Sequence, residues 1–328
     1  MRDRVLAGIL VVPFVMGAAA APSHPGRVEL TFRDPAIVES SGLVLQDGLF
    51  LTTNDSGDSG RVFAVDPATG RTVGVTTWSE DPTDVEALAP AGRGAVWVGD
   101  IGDNTASRDG VQVTRVPVGR GDRTADATTY ELTYPEGAVN AETLLADPST
   151  GRLYVATKNV FGGSLYEAPA RLDPEGPNRL REVGPVLPIA TDGAFFPDGR
   201  HVILRDYSRA VVYTFPALEE VGSFRLPDQD QGEGLAVAAD HTVYVSSEGQ
   251  DQPVLRVPLP ADVRRAVAPA SASPTAAPTA SPSSGTFSRE GRELPEQEYT
   301  DRPAWPWFLT AWVVLGGLVV LVRSLRRR

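Results

Sequence analysis

A strand-loop-strand pattern that recurs five times is the feature that most constrains the fold of this 328-residue chain. In each copy a β-rich run leads through a polar loop into an apolar run, and two more short apolar runs follow. Four strands in about 48 residues is the size of one blade of a β-propeller. The matched positions are Ser41, Glu86, Glu142, Gly193 and Glu233. Successive positions are 45, 56, 51 and 40 residues apart. The sequence therefore predicts an all-β fold, a five-bladed β-propeller, with a six-bladed ring as the alternative.

The two ends of the repeat region predict how such a ring closes. The last copy stops after its third strand, at Leu259, whereas Val28–Phe32 at the beginning aligns with the fourth, outermost strand of the other copies. We expect this N-terminal strand to complete the last blade, because a closed ring leaves only short, protected edges. An irregular β-sandwich is the other possible architecture, and five matched repeats disfavour it.

The segments that flank the repeats have the composition of targeting and anchoring sequences. Residues 1–21 combine two arginines, an apolar run and small residues, as in a secretory signal peptide, with an uncleaved anchor helix as the alternative. Residues 305–322 carry no charge, and four arginines follow in residues 323–328, which predicts a single transmembrane helix with a basic cytoplasmic tail. We therefore expect the body, residues 27–262, to lie outside the cell and to be anchored to the cell membrane by this helix.

Residues 263–304 lie between this body and the predicted helix. Their first half consists almost entirely of Ala, Pro, Ser and Thr. Such a composition cannot bury a hydrophobic core, so the segment is expected to stay extended or disordered. We predict a Pro/Ala/Ser/Thr-rich stalk that holds the body away from the bilayer.

Composition excludes several classes of function. The chain has 42 Asp and Glu residues against 30 Lys and Arg residues, a net charge of −12, so binding to nucleic acid through a broad basic face is not expected. It contains no Cys, which excludes a disulfide scaffold, a thiol nucleophile and metal sites built on thiolates. No organic cofactor is indicated by any motif.

Polar residues concentrate in loops that belong to one face of the predicted propeller. In an antiparallel blade, the loop before the inner strand and the loop after the second strand lie on the same side, around one end of the central channel. Few aromatic residues accompany these loops, and the candidates are Trp78, Phe161 and Tyr207. The candidate ligand-binding residues there are Asn54, Asp55, Asp58, Asp100, Asp103, Asn104, Lys158, Arg205, Tyr207 and Glu248.

Three glutamates at equivalent repeat positions, Glu86, Glu142 and Glu233, are expected to converge at the mouth of the channel. Converging carboxylates repel one another unless positive charge neutralises them. A hard cation such as Ca²⁺ or Mg²⁺ would suit these oxygen ligands, and Lys158 and Arg205 are the alternative source of compensation. Acids that accept loop N–H groups in ordinary turns are the simpler interpretation.

Catalysis by a Ser-His-Asp triad is disfavoured. Of the three histidines, His201 and His241 are predicted on the opposite face and His24 lies near the N-terminus, and no G-x-S-x-G motif is present. Carboxylate chemistry remains, alone or with a metal. If the protein is a hydrolase, the acid, base or nucleophile would come from Glu86, Glu142, Asp192 and Glu233.

The sequence also resembles a group of known proteins. The chain is similar to secreted bacterial β-propellers of the phytase-esterase-like, NHL and lactonase-like group over most of residues 28–259. The motifs that carry the resemblance are Ser41-Gly42-Leu43, Asn54-Asp55-Ser56-Gly57-Asp58, Asp84-Val85-Glu86-Ala87-Leu88 and Ser247-Glu248-Gly249. Some members of that group carry Ca²⁺ in the channel, which implies a site here at Glu86, Asn140, Glu142 and Glu233.

Two functions agree with these features. The first is a cell-surface binding module that presents an acidic, Ca²⁺-loaded face to a small molecule, a cell-wall component or a protein. The second is a carboxylate- or metal-dependent hydrolase of the glycosidase, phosphoesterase or lactonase type.

Overall fold

A computed structural model describes residues 26–268, and these residues form a five-bladed β-propeller. Their strands make five sheets, and the inner strand of each sheet contacts the inner strands of both neighbouring sheets, so the ring is closed. The five-bladed prediction is confirmed. The six-bladed alternative is wrong, because the long second and third repeats each add one short edge strand rather than a sixth sheet.

The strands of the first three blades run outward from the channel in chain order. Blade 1 contains β2 (Ser40–Gln46), β3 (Leu49–Asn54), β4 (Arg61–Val65) and β5 (Thr72–Trp78). Blade 2 contains β6 (Val85–Pro90), β7 (Ala95–Asp100), β8 (Val111–Pro117) and β10 (Thr128–Thr133). Blade 3 contains β11 (Ala141–Ala146), β12 (Leu153–Thr157), β13 (Gly163–Glu167) and β15 (Arg181–Val186).

Blades 4 and 5 complete the ring. Blade 4 contains β16 (Asp192–Phe195), β17 (His201–Arg205), β18 (Arg209–Thr214) and β19 (Glu220–Arg225). Blade 5 contains β20 (Gly232–Val237), β21 (Val243–Ser247), β22 (Pro253–Val257) and β1 (Arg27–Thr31). Two short strands each add a parallel edge to the preceding blade, β9 (Arg123–Ala125) on β5 and β14 (Asn178–Arg179) on β10.

The N-terminal strand closes the last blade, as the repeats predict. β1 pairs antiparallel with β22, with Val28 opposite Leu255. Its Leu30 and the following Phe32 are buried in a hydrophobic cluster between blades 5 and 1. The beginning and end of the propeller are therefore joined by main-chain hydrogen bonds and by a shared core.

The hydrophobic core lies between the blades. Each adjacent pair of blades encloses one cluster of buried side chains, for example Leu144 and Val155 of blade 3 with Ala87 and Val113 of blade 2. A radial sheet is covered on both faces by its neighbours, so central strands such as β12 are buried along their whole length. This explains why these strands are continuous apolar runs rather than alternating ones.

The body extends further than the sequence indicates. Helix α1 (Ala261–Ala266) follows blade 5, and its Val263 is buried with Val267 in the cluster between blades 4 and 5. The expected start of the stalk at residue 263 therefore lies inside the packed domain. The remainder of that stalk, the signal peptide at 1–21, the helix at 305–322 and the tail at 323–328 lie outside the described residues. Within residues 26–268, no helix has the length and apolar character needed to cross a membrane.

Candidate functional site

Two sets of loops meet around one end of the channel. We call the loop before each inner strand the lead-in loop and the loop after each second strand the return loop. Within a blade the two are joined by main-chain hydrogen bonds. Asp55 N donates to Glu39 O at 3.0 Å in blade 1, and Lys158 N donates to Asn140 O at 2.9 Å in blade 3. The predicted loop residues therefore share one face.

A β-bulge at the start of the inner strand carries each of the three converging glutamates. In blade 2, Val85 pairs with Asp100 and Ala87 pairs with Gly99, so Glu86 lies in the bulge between them. The register shifts in the same way around Glu142 in blade 3 and around Glu233 in blade 5. A bulge takes a residue out of the ladder and re-aims its side chain. We call the site formed by Glu86, Glu142 and Glu233 the acidic mouth.

Blade 4 departs from this pattern. Asp192 pairs with Arg205 and Gly193 with Leu204 without a register shift. A Cβ atom on Gly193 would lie 2.6 Å from the carbonyl oxygen of Ile203, so no side chain fits at the equivalent position. The glutamate of blades 2, 3 and 5 is replaced in blade 4 by a glycine that lets the strands approach closely.

Glu86 is buried and has little compensating charge. Its Oε2 accepts a hydrogen bond from Ser41 Oγ at 3.3 Å, and Ser41 is the equivalent residue of blade 1. Burial, together with the nearby carboxylates of Glu142 and Asp55, raises the pKa of Glu86 to about 10. In the absence of an added cation, this side chain is therefore protonated at neutral pH.

Glu142 forms an ion pair with Lys158 through its Oε1. Burial raises the pKa of Glu142, the Lys158 ammonium opposes that rise, and the balance is a pKa of about 7. Burial also disfavours the charged form of Lys158, but Glu142 outweighs it and raises the pKa of the lysine. The other oxygen, Glu142 Oε2, is buried without a hydrogen-bond partner. Lys158 Nζ also lies 5.1 Å from the ring centroid of Tyr207, a cation–π contact.

Glu233 completes the acidic mouth from blade 5. It is buried, and its Oε2 has no hydrogen-bond partner. Burial and the Glu142 carboxylate raise the pKa of Glu233 to about 8, although Lys158 and Arg205 partly offset the rise. The mouth therefore holds two buried carboxylate oxygens, one on Glu142 and one on Glu233, that nothing in the described chain satisfies.

Arg205 and Asp192 were expected in the site, but both side chains are completely buried between blades 4 and 5. Arg205 Nη1 donates to Gly234 O at 3.2 Å and to Gln229 Oε1 at 3.2 Å, both in blade 5 or its lead-in loop. Asp192 Oδ2 accepts from Leu235 N at 2.6 Å, and burial raises its pKa well above the usual range. These two side chains brace adjacent blades, and neither presents surface to solvent.

Two other expected ligand residues hold the lead-in loops in place. Asn54 Oδ1 accepts from Val38 N at 3.0 Å and from Glu39 N at 3.2 Å. Asp100, at the same position in blade 2, accepts from Thr83 N and Asp84 N at 3.0 and 2.9 Å. The last residue of the second strand thus anchors the lead-in loop of the inner strand in its own blade.

The remaining polar residues of blades 1 to 3 mainly form turns. Asp58 Oδ2 accepts from Arg61 Nε at 2.7 Å, and Asp103 Oδ2 accepts from Arg108 N at 2.8 Å. Asn140 Oδ1 accepts from Asp103 N at 2.8 Å, and its Nδ2 donates to Asn104 Oδ1 at 3.0 Å. The Asn140 side chain is therefore engaged in the loop of the neighbouring blade.

A second group of carboxylates spans blades 1 and 2. Oxygens of Asp55, Asp84 and Glu86 lie within 4.8 Å of one another. Burial and the Asp55 carboxylate raise the pKa of Asp84. A Cβ atom on Gly102 would lie 2.7 Å from Glu86 Oε1, so the return loop packs directly against the group. Hard oxygen ligands at this separation suit a divalent cation such as Ca²⁺.

The sequence does not single out Asp84 as a metal ligand and assigns Asp55 only to ligand binding. Their positions in the repeats are the signal that could have identified them as metal ligands. Asp55 begins the return loop of blade 1, and Asp84 lies two residues before the bulged Glu86. Glu248, also expected to bind ligand, joins this side of the mouth, and burial and Asp55 raise its pKa.

The other end of the channel is chemically different. A cavity of about 650 Å³ opens there, lined by residues of all five inner strands or the turns after them, including Leu45, Pro90, Ala146, Phe195 and Val237. His201 lies on this side of blade 4, with Nδ1 2.7 Å from Asp198 Oδ2. The histidine is therefore placed away from the acidic mouth.

Comparison with known proteins assigns no family to the chain. No family model and no curated protein sequence matches the chain. Glutaminyl cyclase from Myxococcus xanthus is 14% identical with a TM-score of 0.44, over 72% of this chain and 100% of that one. PQQ-bound aldose sugar dehydrogenase from Streptomyces coelicolor is 12% identical with a TM-score of 0.43, over 72% and 99%. A chain of the nidogen/laminin complex is 16% identical with a TM-score of 0.40, over 64% and 73%.

Proposed function

We propose that the protein is a membrane-anchored binding module whose acidic mouth captures a positively charged group. The ligand is a small molecule, a cell-wall component or a protein. The observation that carries this proposal is the convergence of buried glutamates from three blades, two of which have an oxygen without a partner. The location outside the cell is supported by the sequence, through the predicted signal peptide at 1–21, stalk and helix at 305–322.

The charge of the mouth requires a cation or protons. The Arg205 side chain is hydrogen-bonded between blades 4 and 5, and Lys158 forms its ion pair with Glu142 alone. Without a further positive charge, Glu86 and Glu233 keep their protons to higher pH than an ordinary glutamate, as their raised pKa values indicate. A ligand cation would replace these protons. It would be coordinated by the unpartnered oxygens or donate hydrogen bonds to them.

Ca²⁺ is the metal ion that we propose for this face. Asp55, Asp84 and Glu86 fit it through their oxygen donors and mutual separation. The set implied by the family resemblance, Glu86, Asn140, Glu142 and Glu233, shares Glu86, but the Asn140 side chain is bonded to the 103–104 loop. A bound Ca²⁺ would neutralise the carboxylates and leave coordination positions for oxygen atoms of a ligand.

Thermal melting tests this proposal. The protein is treated with a chelator at pH 8 and melted with and without CaCl₂, MgCl₂ or guanidinium at low millimolar concentration. We expect at least one cation to raise the melting temperature by several degrees, since a ligand that binds only the folded state stabilises it. Glu86→Gln and Glu233→Gln should lose the shift, and Glu29→Gln, on the exposed outer strand β1, should retain it. No shift with any cation would contradict the proposal.

A hydrolase is the second candidate, and one observation favours it. Burial keeps Glu86 protonated, whereas Lys158 favours the ionised form of Glu142. Two carboxyl groups with separated pKa values are the arrangement of a general acid and its partner base or nucleophile. In this scheme Glu86 donates the proton, Glu142 acts as base or nucleophile, and Glu233 assists. Asp192 is removed from this role by its complete burial.

The hydrolase proposal is tested with glycoside, phosphoester and lactone substrates. Turnover that Glu142→Gln abolishes while the melting temperature is kept would support it. The absence of turnover over the whole panel, with cation binding intact, would leave the binding module as the function.

A further inference from the structure

An exposed apolar surface borders the acidic mouth. Among residues 26–268, five large hydrophobic side chains are strongly exposed, and three of them lie on two return loops of neighbouring blades. Phe161 is fully exposed (relative exposure 101%), Val160 is 67% exposed and Tyr207 is 38% exposed. We call these three residues the apolar lip.

The lip is continuous with the mouth through Lys158. This lysine precedes Val160 and Phe161 in the return loop of blade 3, pairs with Glu142 and lies over the ring of Tyr207 of blade 4. Lys158 therefore contacts both Glu142 of the mouth and Tyr207 of the lip, and it lies three residues before Phe161 in the chain. A ligand group bound at Glu142 would lie beside the lip.

The loop that carries the lip is held by hydrogen bonds. Asn159 Oδ1 accepts from Phe161 N at 3.0 Å, and Asn159 O accepts from Ile189 N at 3.1 Å. The tip of the loop thus directs Val160 and Phe161 outward from a fixed base. Apolar side chains rimmed by polar residues mark interaction sites, and aromatic residues beside charges are frequent energetic centres of such sites.

We propose that the apolar lip and the acidic mouth together bind a polypeptide segment in which a basic side chain adjoins an aromatic or branched aliphatic one. The Lys or Arg side chain lies toward Glu142 and Glu233, and its apolar neighbour packs on Val160 and Phe161. This inference rests on the proposed binding function and names its partner.

Charge complementarity selects this partner. The oxygens without partners on Glu142 and Glu233 require hydrogen-bond donors, which an ammonium or guanidinium group supplies. An anionic lipid surface would also offer apolar groups to Phe161, but its phosphates would be repelled by the carboxylates beside the lip. A membrane is therefore the alternative outcome of the test and not the proposal.

The test uses hexapeptides in which Lys or Arg is flanked, on either side, by Phe, Tyr, Trp, Leu, Ile or Val in a Gly background. Binding is followed by fluorescence anisotropy with the full protein. We expect one or more peptides to bind, and replacing either the basic or the apolar residue by Gly should weaken binding roughly tenfold or more. The double variant Val160→Ser/Phe161→Ser should show the same loss. Val28→Ser, at another exposed valine on β1, should bind as the wild type does.

The outcomes separate this inference from the proposed function. If no peptide binds while cations still shift the melting temperature, the peptide proposal is overturned and the cation-binding function stands. If neither is observed, both are overturned. Equal peptide affinity in the Val160→Ser/Phe161→Ser variant would also overturn the role of the lip. Loss of binding to phosphatidylglycerol vesicles by that variant, without any peptide binding, would make the lip a membrane contact.

Discussion

Lys158 pairs with Glu142 at the channel mouth, and the two side chains are only 19% and 4% exposed. Among the described residues, no ion pair reaches Glu86 or Glu233 at the same site. The lysine thus compensates one of three converging carboxylates, and the others depend on protons or on an external cation. This imbalance is the basis of the proposed function.

Removal of Lys158 should destabilise the propeller. Lys158→Met leaves Glu142 buried without its partner, which typically costs about 3 kcal/mol in the free energy of unfolding. Glu142→Gln in the same chain should restore much of that loss, because the neutral amide needs no counter-charge. Urea unfolding at pH 8 measures both effects. Arg181→Met is the control, since Arg181 is 71% exposed in its pair with Glu167 and should contribute less than about 1 kcal/mol. A similar loss in Lys158→Met and in Arg181→Met would contradict this role of Lys158.

Stability should fall as the pH rises. Glu233 has a pKa of about 8 in the folded protein against 4.5 in its ordinary state, so folding favours its protonated form. Its contribution is fully present below about pH 4.5 and is lost as the pH rises through 8. Glu142, with a pKa of about 7, acts in the same direction. In chelator, the melting temperature should therefore decrease between pH 5 and pH 8.

Glu233→Gln should flatten this dependence and stabilise the protein at pH 8 by on the order of 1 to 3 kcal/mol, because a buried charge is replaced by a neutral isostere. Glu29→Gln, on the exposed strand β1, should leave the slope unchanged. A wild-type melting temperature that rises from pH 5 to pH 8 would be incompatible with buried glutamates of raised pKa.

Arg205 should be essential for the packing of blade 4 against blade 5. Arg205→Met removes the hydrogen bonds to Gly234 O and Gln229 Oε1 and leaves Asp192 buried without a nearby cation. We expect a loss of about 3 to 5 kcal/mol in the free energy of unfolding. Arg209→Met changes a half-exposed arginine of the same blade and should have a much smaller effect. Comparable midpoints of urea unfolding for the two variants would show that Arg205 is not a brace.

The ring of inner strands should not tolerate a side chain at Gly42. A Cβ atom there would lie 2.5 Å from Leu88 N and 2.9 Å from the carbonyl carbon of Ala87, both backbone atoms of the next blade. Gly42→Ala should therefore lower the free energy of unfolding by about 2 kcal/mol or more. The melting temperature should fall accordingly. Gly99→Ala is the matched control, since the nearest atoms to its Cβ are side-chain carbons 3.4 Å away. Equal melting temperatures would exclude the proposed close approach.

The fold could be predicted because each blade has nearly the same sequence pattern. Runs such as Leu153–Thr157 and Val243–Ser247 coincide with strands β12 and β21, since strands buried on both faces are continuous apolar segments. The missing fourth strand of the last repeat indicated closure by Val28–Phe32, and β1 occupies that place.

The roles of the polar residues could not be predicted from the sequence in the same way. They depend on which backbone groups each loop leaves without a hydrogen-bond partner. Asn54 and Asp100 look like ligand residues in the sequence, yet both satisfy N–H groups about 16 residues earlier in the chain. The sequence also does not show which of these side chains are buried. Nothing in the sequence distinguishes the fully buried Arg205 from an exposed arginine, or shows that Trp78 is buried while Phe161 is exposed.

The proposed function requires the carboxylates of the mouth to exchange protons for a bound cation. Calorimetric titration of the chelator-treated protein with CaCl₂ at pH 7.5, in two buffers of different ionisation enthalpy, counts the protons released on binding. We expect saturable binding with net release of protons, and this release should be reduced in Glu86→Gln and unchanged in Glu29→Gln. Binding without proton release, or release that Glu86→Gln leaves unaltered, would contradict it.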